Sequence, residues 1–447
     1  MSTTDTNRDG AGADDRHDPL IELLPRVRRE SRWQRLWRPF WMLPTCILAA
    51  AAVLGLVLPL LDRSFDQHLD LFYQGGPSGA RDLLGNIAGA MISVTGLVFS
   101  ITMVVIQLAS SQFTPRALDD FLASRITQTT LGVFAASFVY SLAVHRSVRG
   151  DADGIDAFVP QISVTVAFLL VLASVGLFMA FIHHITDSIK VTTIVSHLGE
   201  TTMRVVDRYF PHPSRFDDLD DPPADRFSPP AGMRAEEVLA EQHGNVTEVD
   251  HRRLLDWAVE HDAIVEVVPP VGEFVVEGAT AMRVWRDAGA DELDDAERRA
   301  LRAAVVVEQD RRFTQDPAFG IRKLVDIAER ALSSGINDPT TAVQVLDELH
   351  RVLRTLVQQQ DLPHSVPHEG VVRLVHRPQR VDELIDLALE EVLHYAGGTL
   401  QVPRKVIAML QDAGAVARDE HRERLRHWER IAGELVAETS KRDAAGA

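Results

Sequence analysis

Residues Leu83–Gln112 read LLGNIAGAMISVTGLVFSITMVVIQLASSQ and carry no charged side chain. An uncharged run of this length can cross a bilayer as one helix. It is not uniformly apolar. Asn86, Gly89, Ser93, Gly96, Ser100, Gln107 and Ser111 follow one another at steps of three or four residues, interrupted by Met103. Such steps fall on one side of a helix. Ile87, Val94, Val98, Ile101, Val105 and Leu108 occupy the remainder. The pattern predicts a lipid-compatible side opposite a side of glycine, hydroxyl and amide groups. That second side needs protein or water as its partner.

Working outward, three further apolar runs complete a membrane domain over 25–210, with spans at about 40–61, 83–112, 129–144 and 158–182. Residues 1–24 are polar and Asp-rich, and read as a disordered tail. Arg26, Arg28, Arg29, Arg32, Arg35 and Arg38, interleaved with Trp33 and Trp37, precede the first span. Basic charge with tryptophan at the edge of an apolar run marks the cytoplasmic interface. Four crossings then place both termini in the cytoplasm. The stretches 62–82 and 145–156 read as acidic external loops. The fourth span continues in helical pattern through His183, His184 and Asp187 to Phe210. His184 and Asp187 share a face, but two ligands are too few for a metal site.

The chain has 447 residues, 46% apolar, with a net charge of −18. The acidic balance argues against nucleic acid as a partner, because phosphate binding needs basic patches. The only cysteine is Cys46, which excludes disulfides and thiolate clusters within one chain.

A Pro/Asp linker over 211–234 separates the membrane domain from an α+β remainder. Over 235–290 the chain is strand-rich. Glu236–Val249 alternates around Gly244-Asn245, which predicts a hairpin. His251–His261 reads as an amphipathic helix, and Ala263–Val284 as strands with turns at Pro269-Pro270 and Glu277-Gly278. Residues 291–440 read as a helical bundle. Asp316-Pro317 and Asn337-Asp338-Pro339 each offer an Asp cap followed by Pro at the first helical position. Gly335 is the expected left-handed residue closing the first of these helices. Val381–His394, Pro403–Ala413 and Arg418–Thr439 are amphipathic, and Gly370–His376 is β-like.

The run from Gln315 to Ala342, QDPAFGIRKLVDIAERALSSGINDPTTA, resembles the hallmark of a bacterial membrane-protein family known as domain of unknown function 2254. The resemblance includes the four spans and FIHHI at Phe181–Ile185, and covers the chain from about Arg32 to Glu434. One departure is Ser334, where the family pattern more often has proline. The resemblance implies a bacterial inner-membrane protein with a cytoplasmic α+β domain. It carries no activity.

Within the hallmark, Arg322, Asp326, Glu329 and Arg330 form a charged ladder at i, i+4, i+7 and i+8. Asp326 and Glu329 could serve as acid and base, or as oxygen ligands for a divalent cation. The alternative is that they join Asp316, Asn337 and Asp338 in capping and ion-pairing a helical hairpin. No phosphate loop, zinc spacing, serine elbow or dinucleotide fingerprint appears, so no enzyme, cofactor or metal is expected. His364 and His368 read as surface histidines. The polar stripe carries the functional expectation: close helix packing, or copies of this helix surrounding an aqueous path. We expect a homo-oligomeric, cation-leaning pore gated by the cytoplasmic domain. Its partners are the lipid bilayer, further copies of itself and permeant inorganic ions. The rival is a non-conducting regulator or receptor whose cytoplasmic domain binds a ligand or partner.

Overall fold

A computed structural model describes residues 40–62, 73–112, 124–150, 157–188, 190–210 and 227–446, with the side chains of 108–112, 188 and 445–446 outside it. The expected tail, the arginine–tryptophan cluster and most of the Pro/Asp linker lie outside the described residues. The chain divides between His197 and Leu198 into two compact units.

The N-terminal unit contains α1 (Met42–Asp62), α2 (Pro77–Gln112), α3 (Arg125–His145) and α4 (Gln161–Ser188). All four are long and apolar enough to cross a membrane. The second begins at Pro77 rather than Leu83, so the expected external loop is shorter. Ala80 and Leu84 are fully buried there, and Arg81 donates to the Val148 carbonyl at 3.0 Å. The third span likewise starts earlier than expected, at Arg125.

Helix α3 packs against the other three. Its hydropathy is the lowest of the four because half of it faces protein rather than lipid. Thr130, Ser137 and Ser141 are fully buried on it, and Ser137 lies 3.2 Å from Ser174 of α4. At Gly132 a Cβ would stand 2.9 Å from Ile47, so the missing side chain lets α1 approach. Asp62, at the end of α1, caps the start of α4, accepting from the Ser163 N–H at 3.0 Å and its hydroxyl at 2.7 Å. A carboxylate there also answers the positive end of α4.

The fourth span does not run on unbroken. Helix α4 ends at Ser188 and α5 (Val191–Tyr209) starts anew, with Lys190 turning back on Asp187 through its backbone and its ammonium group. The second half of α5 belongs to the C-terminal unit. There Leu198, Thr202, Val205, Val206 and Tyr209 form one buried face at helical spacing.

The C-terminal unit continues with β1 (Met233–Leu239), β2 (Gly244–Val249), α6 (His251–Glu260), β3 (Ile264–Val267), β4 (Phe274–Val275), β5 (Thr280–Asp287), α7 (Asp295–Arg302) and β6 (Val305–Glu308). Then follow α8 (Pro317–Leu332), α9 (Pro339–Leu356), β7 (Ser365–His368), β8 (Val371–Val375), α10 (Val381–Tyr395), α11 (Gln401–Val416) and α12 (Asp419–Gly446). Two sheets form, in the orders β1-β5-β3-β8-β7 and β4-β2-β6. The expected β1–β2 hairpin is absent. β1 pairs antiparallel with β5, its ladder extended by Ala240 N–H to the Ala279 carbonyl, while β2 crosses to the other sheet. β8 joins β3 in parallel, Val265 opposite Leu374. The sheets therefore draw β6, β7 and β8 from beyond residue 290. Val238, Val246, Leu254, Val265, Met282 and Val284 fill the space between them.

Candidate functional site

The membrane stripe lies on the outside of its unit. Asn86, Gly89, Ser93, Gly96, Ser100 and Gln107 are all exposed, and a Cβ added at Gly89 or Gly96 would meet nothing within 4 Å. Ser111 has its side chain outside the described residues. The face expected to meet lipid is instead the packing face: Ile87, Val98 and Val105 are buried against the unit's other helices. The assignment reverses because α3 already supplies the small and hydroxyl-bearing residues of the unit's interior. Apolar residues needed for packing onto it then come from α2. Ile92, Leu97, Phe99 and Val104 flank the stripe as exposed apolar residues.

Within the stripe, Ser93 and Ser100 donate to the Gly89 and Gly96 carbonyls of their own helix, each at 2.9 Å. Their hydroxyls are therefore satisfied without water. The side-chain amides of Asn86 and Gln107 are too long for that habit. They stand 21 residues apart, about 31 Å along a helix.

At the C-terminal end of α4, His184 bonds to Ser124 at 2.6 Å, whereas Asp187 pairs with His183 and Lys190. Among the described residues no three metal-ligating side chains come together.

The hallmark residues divide into two groups. Asp316 is almost fully buried and caps α8, accepting from the Phe319 N–H at 3.0 Å. It also takes both arms of the Arg311 guanidinium and the Gln379 amide, at 2.7–2.9 Å. Gln315, its neighbour, reads the backbone of β2 through Val249 N–H and C=O. Gln379 then accepts from Ala318 N–H, and its own backbone N–H donates to the Tyr209 hydroxyl at 2.9 Å. One hub thus ties α8, β2 and the end of α5. Burial holds the Tyr209 hydroxyl well above its usual range, so it stays protonated.

Helix α5 meets the hallmark hairpin at two glycine-based approaches. A Cβ at Gly320 of α8 would stand 2.9 Å from the Thr202 Cβ, and one at Gly199 would stand 2.8 Å from the Glu348 carboxyl carbon of α9. The hallmark therefore seats the helix that leads out of the N-terminal unit. Lys323 is nearly buried beside it, its ammonium over the rings of Phe313 and Phe319 at 4.8 and 4.9 Å.

The second group is the ladder. Arg322 does not pair along its own helix but reaches Glu391 of α10 at 2.8 Å. Glu329 bonds to that same Glu391 and to Tyr395. Burial, the Glu391 carboxylate and Asp326 raise the Glu329 carboxyl above the usual range, while Arg322 holds Glu391 below it. Glu329 and Glu391 thus form an interacting carboxyl pair whose pKa values are pushed apart, with Asp326 adding negative charge beside them. The Arg330 carbonyl accepts from the Ser333 hydroxyl at 2.7 Å. Asp338 caps α9 through Thr340 and Thr341, and the Thr341 hydroxyl depresses its carboxyl. Asn337, not Gly335, is the left-handed residue of the corner, at φ 49°.

A polar cavity of about 480 Å³ borders the hub, lined by Gln379, Arg377, Arg380, Asp361 and His364 among others. Neither Asp326 nor Glu329 lines it. Gln379, Tyr209 and Arg311 carry no sequence signal of their own. Gln315 offers one, since it directly precedes the cap.

Residues 37–412 match the family model described as predicted membrane protein, domain of unknown function 2254. The chain is 34% identical over 352 residues to an uncharacterized protein of Mycobacterium tuberculosis strain H37Rv, and equally to one of Mycobacterium bovis strain AF2122/97. Each alignment covers 78% of this chain and 66% of the relative, so the chain spans about two thirds of those proteins' length. No solved structure matches it. With the family model matched over most of its residues, the chain belongs to the predicted membrane proteins of domain of unknown function 2254.

Proposed function

We propose that the chain is a subunit of a homo-oligomeric pore in the bacterial inner membrane, with both termini and the C-terminal unit in the cytoplasm. The observation that carries this reading is the stripe from Asn86 to Gln107, exposed along the unit's surface and unused by packing among the described residues. Its two amides stand about one bilayer thickness apart, where lipid is a poor partner for them. Copies of α2 meeting around an axis give those amides each other or water. Acidic loops favour cations at the mouth. No catalytic residue belongs to this role, and the charged ladder serves the fold. Gating enters through α5, whose second half is seated on the hallmark hairpin.

The test is conductance of the purified protein in planar bilayers. Currents are expected, and Ser100→Leu and Gln107→Leu should reduce them severalfold or more. Silence across voltage, tension and salt would sink the proposal. The cavity beside Gln379 favours a second reading, a non-conducting receptor that senses a ligand and signals through Tyr209 and α5. In that case ligand binding survives leucine substitutions along the stripe.

A further inference from the structure

We infer that the C-terminal unit binds a single-chain anionic amphiphile, of the fatty-carboxylate class, in the seam between its two sheets. β1 is the outer strand of one sheet and β6 the outer strand of the other. Their backbones do not pair. Side chains from flanking segments reach them instead: Arg302 Nε of α7 donates to the Leu239 carbonyl of β1 at 3.1 Å, and the amide of Gln242, just past β1, to the Val307 carbonyl of β6 at 2.6 Å. A cavity of about 340 Å³ opens at this seam, within the range of small-ligand sites.

Its walls have two characters. Leu239, Ala281, Met282, Val305 and Val307 make an apolar floor. From α7, Arg299 and Arg302 stand at the rim. Arg302 is partly neutralised by Glu241 at 2.6 Å. Arg299 is exposed and, among the described residues, has no carboxylate partner; its Nε donates to the Asp295 carbonyl of its own helix. Arg299 therefore brings a guanidinium with no carboxylate partner among the described residues to the rim of an apolar floor.

The chemistry selects the ligand. A guanidinium recognises a carboxylate through paired, charge-assisted hydrogen bonds. The apolar floor gains nothing from inorganic phosphate or a sugar, but gains from each methylene placed on it. A cavity of about 340 Å³ suits one acyl chain rather than a two-chain lipid. This site goes beyond the pore reading and stands whether or not the chain conducts.

The experiment uses the full chain in phosphatidylcholine nanodiscs, with empty nanodiscs as the blank. Dodecanoate is titrated by calorimetry, and native mass spectrometry counts the bound molecules. One saturable dodecanoate per chain is expected. Arg299→Ala should weaken it about tenfold, the loss of one charge-assisted contact. Arg299 is exposed, so this variant should keep its fold, checked by circular dichroism. On the unaltered protein, dodecanol should bind at least tenfold more weakly, and inorganic phosphate should not compete. The inference is overturned if dodecanoate binds no better to protein-loaded than to empty discs, if dodecanol matches it, or if phosphate displaces it. Unchanged affinity in a folded Arg299→Ala protein overturns it equally.

Discussion

At the scale of single residues, the feature with the clearest consequence is a pair of buried imidazoles. His251 opens α6 and His376 follows β8, with ring centroids 4.6 Å apart and both rings almost wholly buried. Among the described residues, Nδ1 of His251 and Nε2 of His376 have no hydrogen-bond partner. Burial pulls the His251 pKa from 6.5 to about 4, opposed by a bond to the Val249 backbone. His376 is pulled well below its usual value by burial, by His251 and by His364, opposed by the Pro363 backbone. Both rings are thus neutral in the folded state but take up protons when the chain unfolds below pH 6.5. The unfolded state then binds more protons, so stability falls as pH drops. No penalty is expected above about pH 6.5, and a growing one from there down to about 4. At full slope each histidine costs about 1.4 kcal/mol per pH unit. Thermal unfolding of the full chain across this range should show it, and His376→Phe should flatten the dependence. An equally steep loss in that variant would assign the acid sensitivity to other groups.

At the scale of elements, the α8–α9 corner separates what was legible in the sequence from what was not. Both helix starts were readable because an Asp cap followed by Pro is a local code, satisfied by the N–H groups of the next turn. The buried faces of both helices also follow from their spacing, Ile321 to Leu332 and Ala342 to Leu356. The left-handed residue was misplaced, because Gly335 and Asn337 compete for it over two positions and the winner depends on how the chain re-enters α9. Asp338→Ala should cost about 1 kcal/mol. Asn337→Val should cost about 1–2 kcal/mol through its backbone conformation, whereas Asn337→Gly should be near neutral. Gly335→Ala should be harmless, since a Cβ there meets nothing within 4 Å. Chemical denaturation of the four variants checks the assignment, and a large loss at Gly335→Ala would restore the original reading. Elements whose partners lie far along the chain were less readable. β1 and β2 look like a hairpin by composition, yet each finds its partner elsewhere, at β5 and β6. The hub of Asp316, Gln379 and Tyr209 joins residues more than 100 positions apart, which no local pattern reports. The charged ladder was read along one helix, but Arg322 found its partner on α10.

At the scale of the whole molecule, the deciding question is what covers the stripe on α2. Asn86, Ser93, Ser100 and Gln107 recur at every seventh residue, and Gly89, Gly96 and Met103 form a second such row. A strict seven-residue repeat keeps one seam facing a partner only when helices wind around each other with a left-handed supercoil. Among the described residues nothing takes that position, because α3 and α4 pack on the opposite face, where Ile87, Val98 and Val105 are buried. The repeat therefore predicts contact with α2 of further copies, with glycines allowing close approach. Cys46, the chain's own thiol, is exposed and must first be replaced by Ala. Gly96→Cys and Ser100→Cys introduced singly in that background should give covalent dimers on mild oxidation in native membranes, since a disulfide needs Cα atoms within about 7 Å. Val98→Cys, fully buried within the unit, should remain monomeric. Dimers from both seam positions but not from Val98 would place the stripe between subunits, and the conductance experiment then separates a wet axis from a dry one. Monomers at all three positions would leave the stripe facing lipid, and the assembly together with the pore built on it would have to be abandoned.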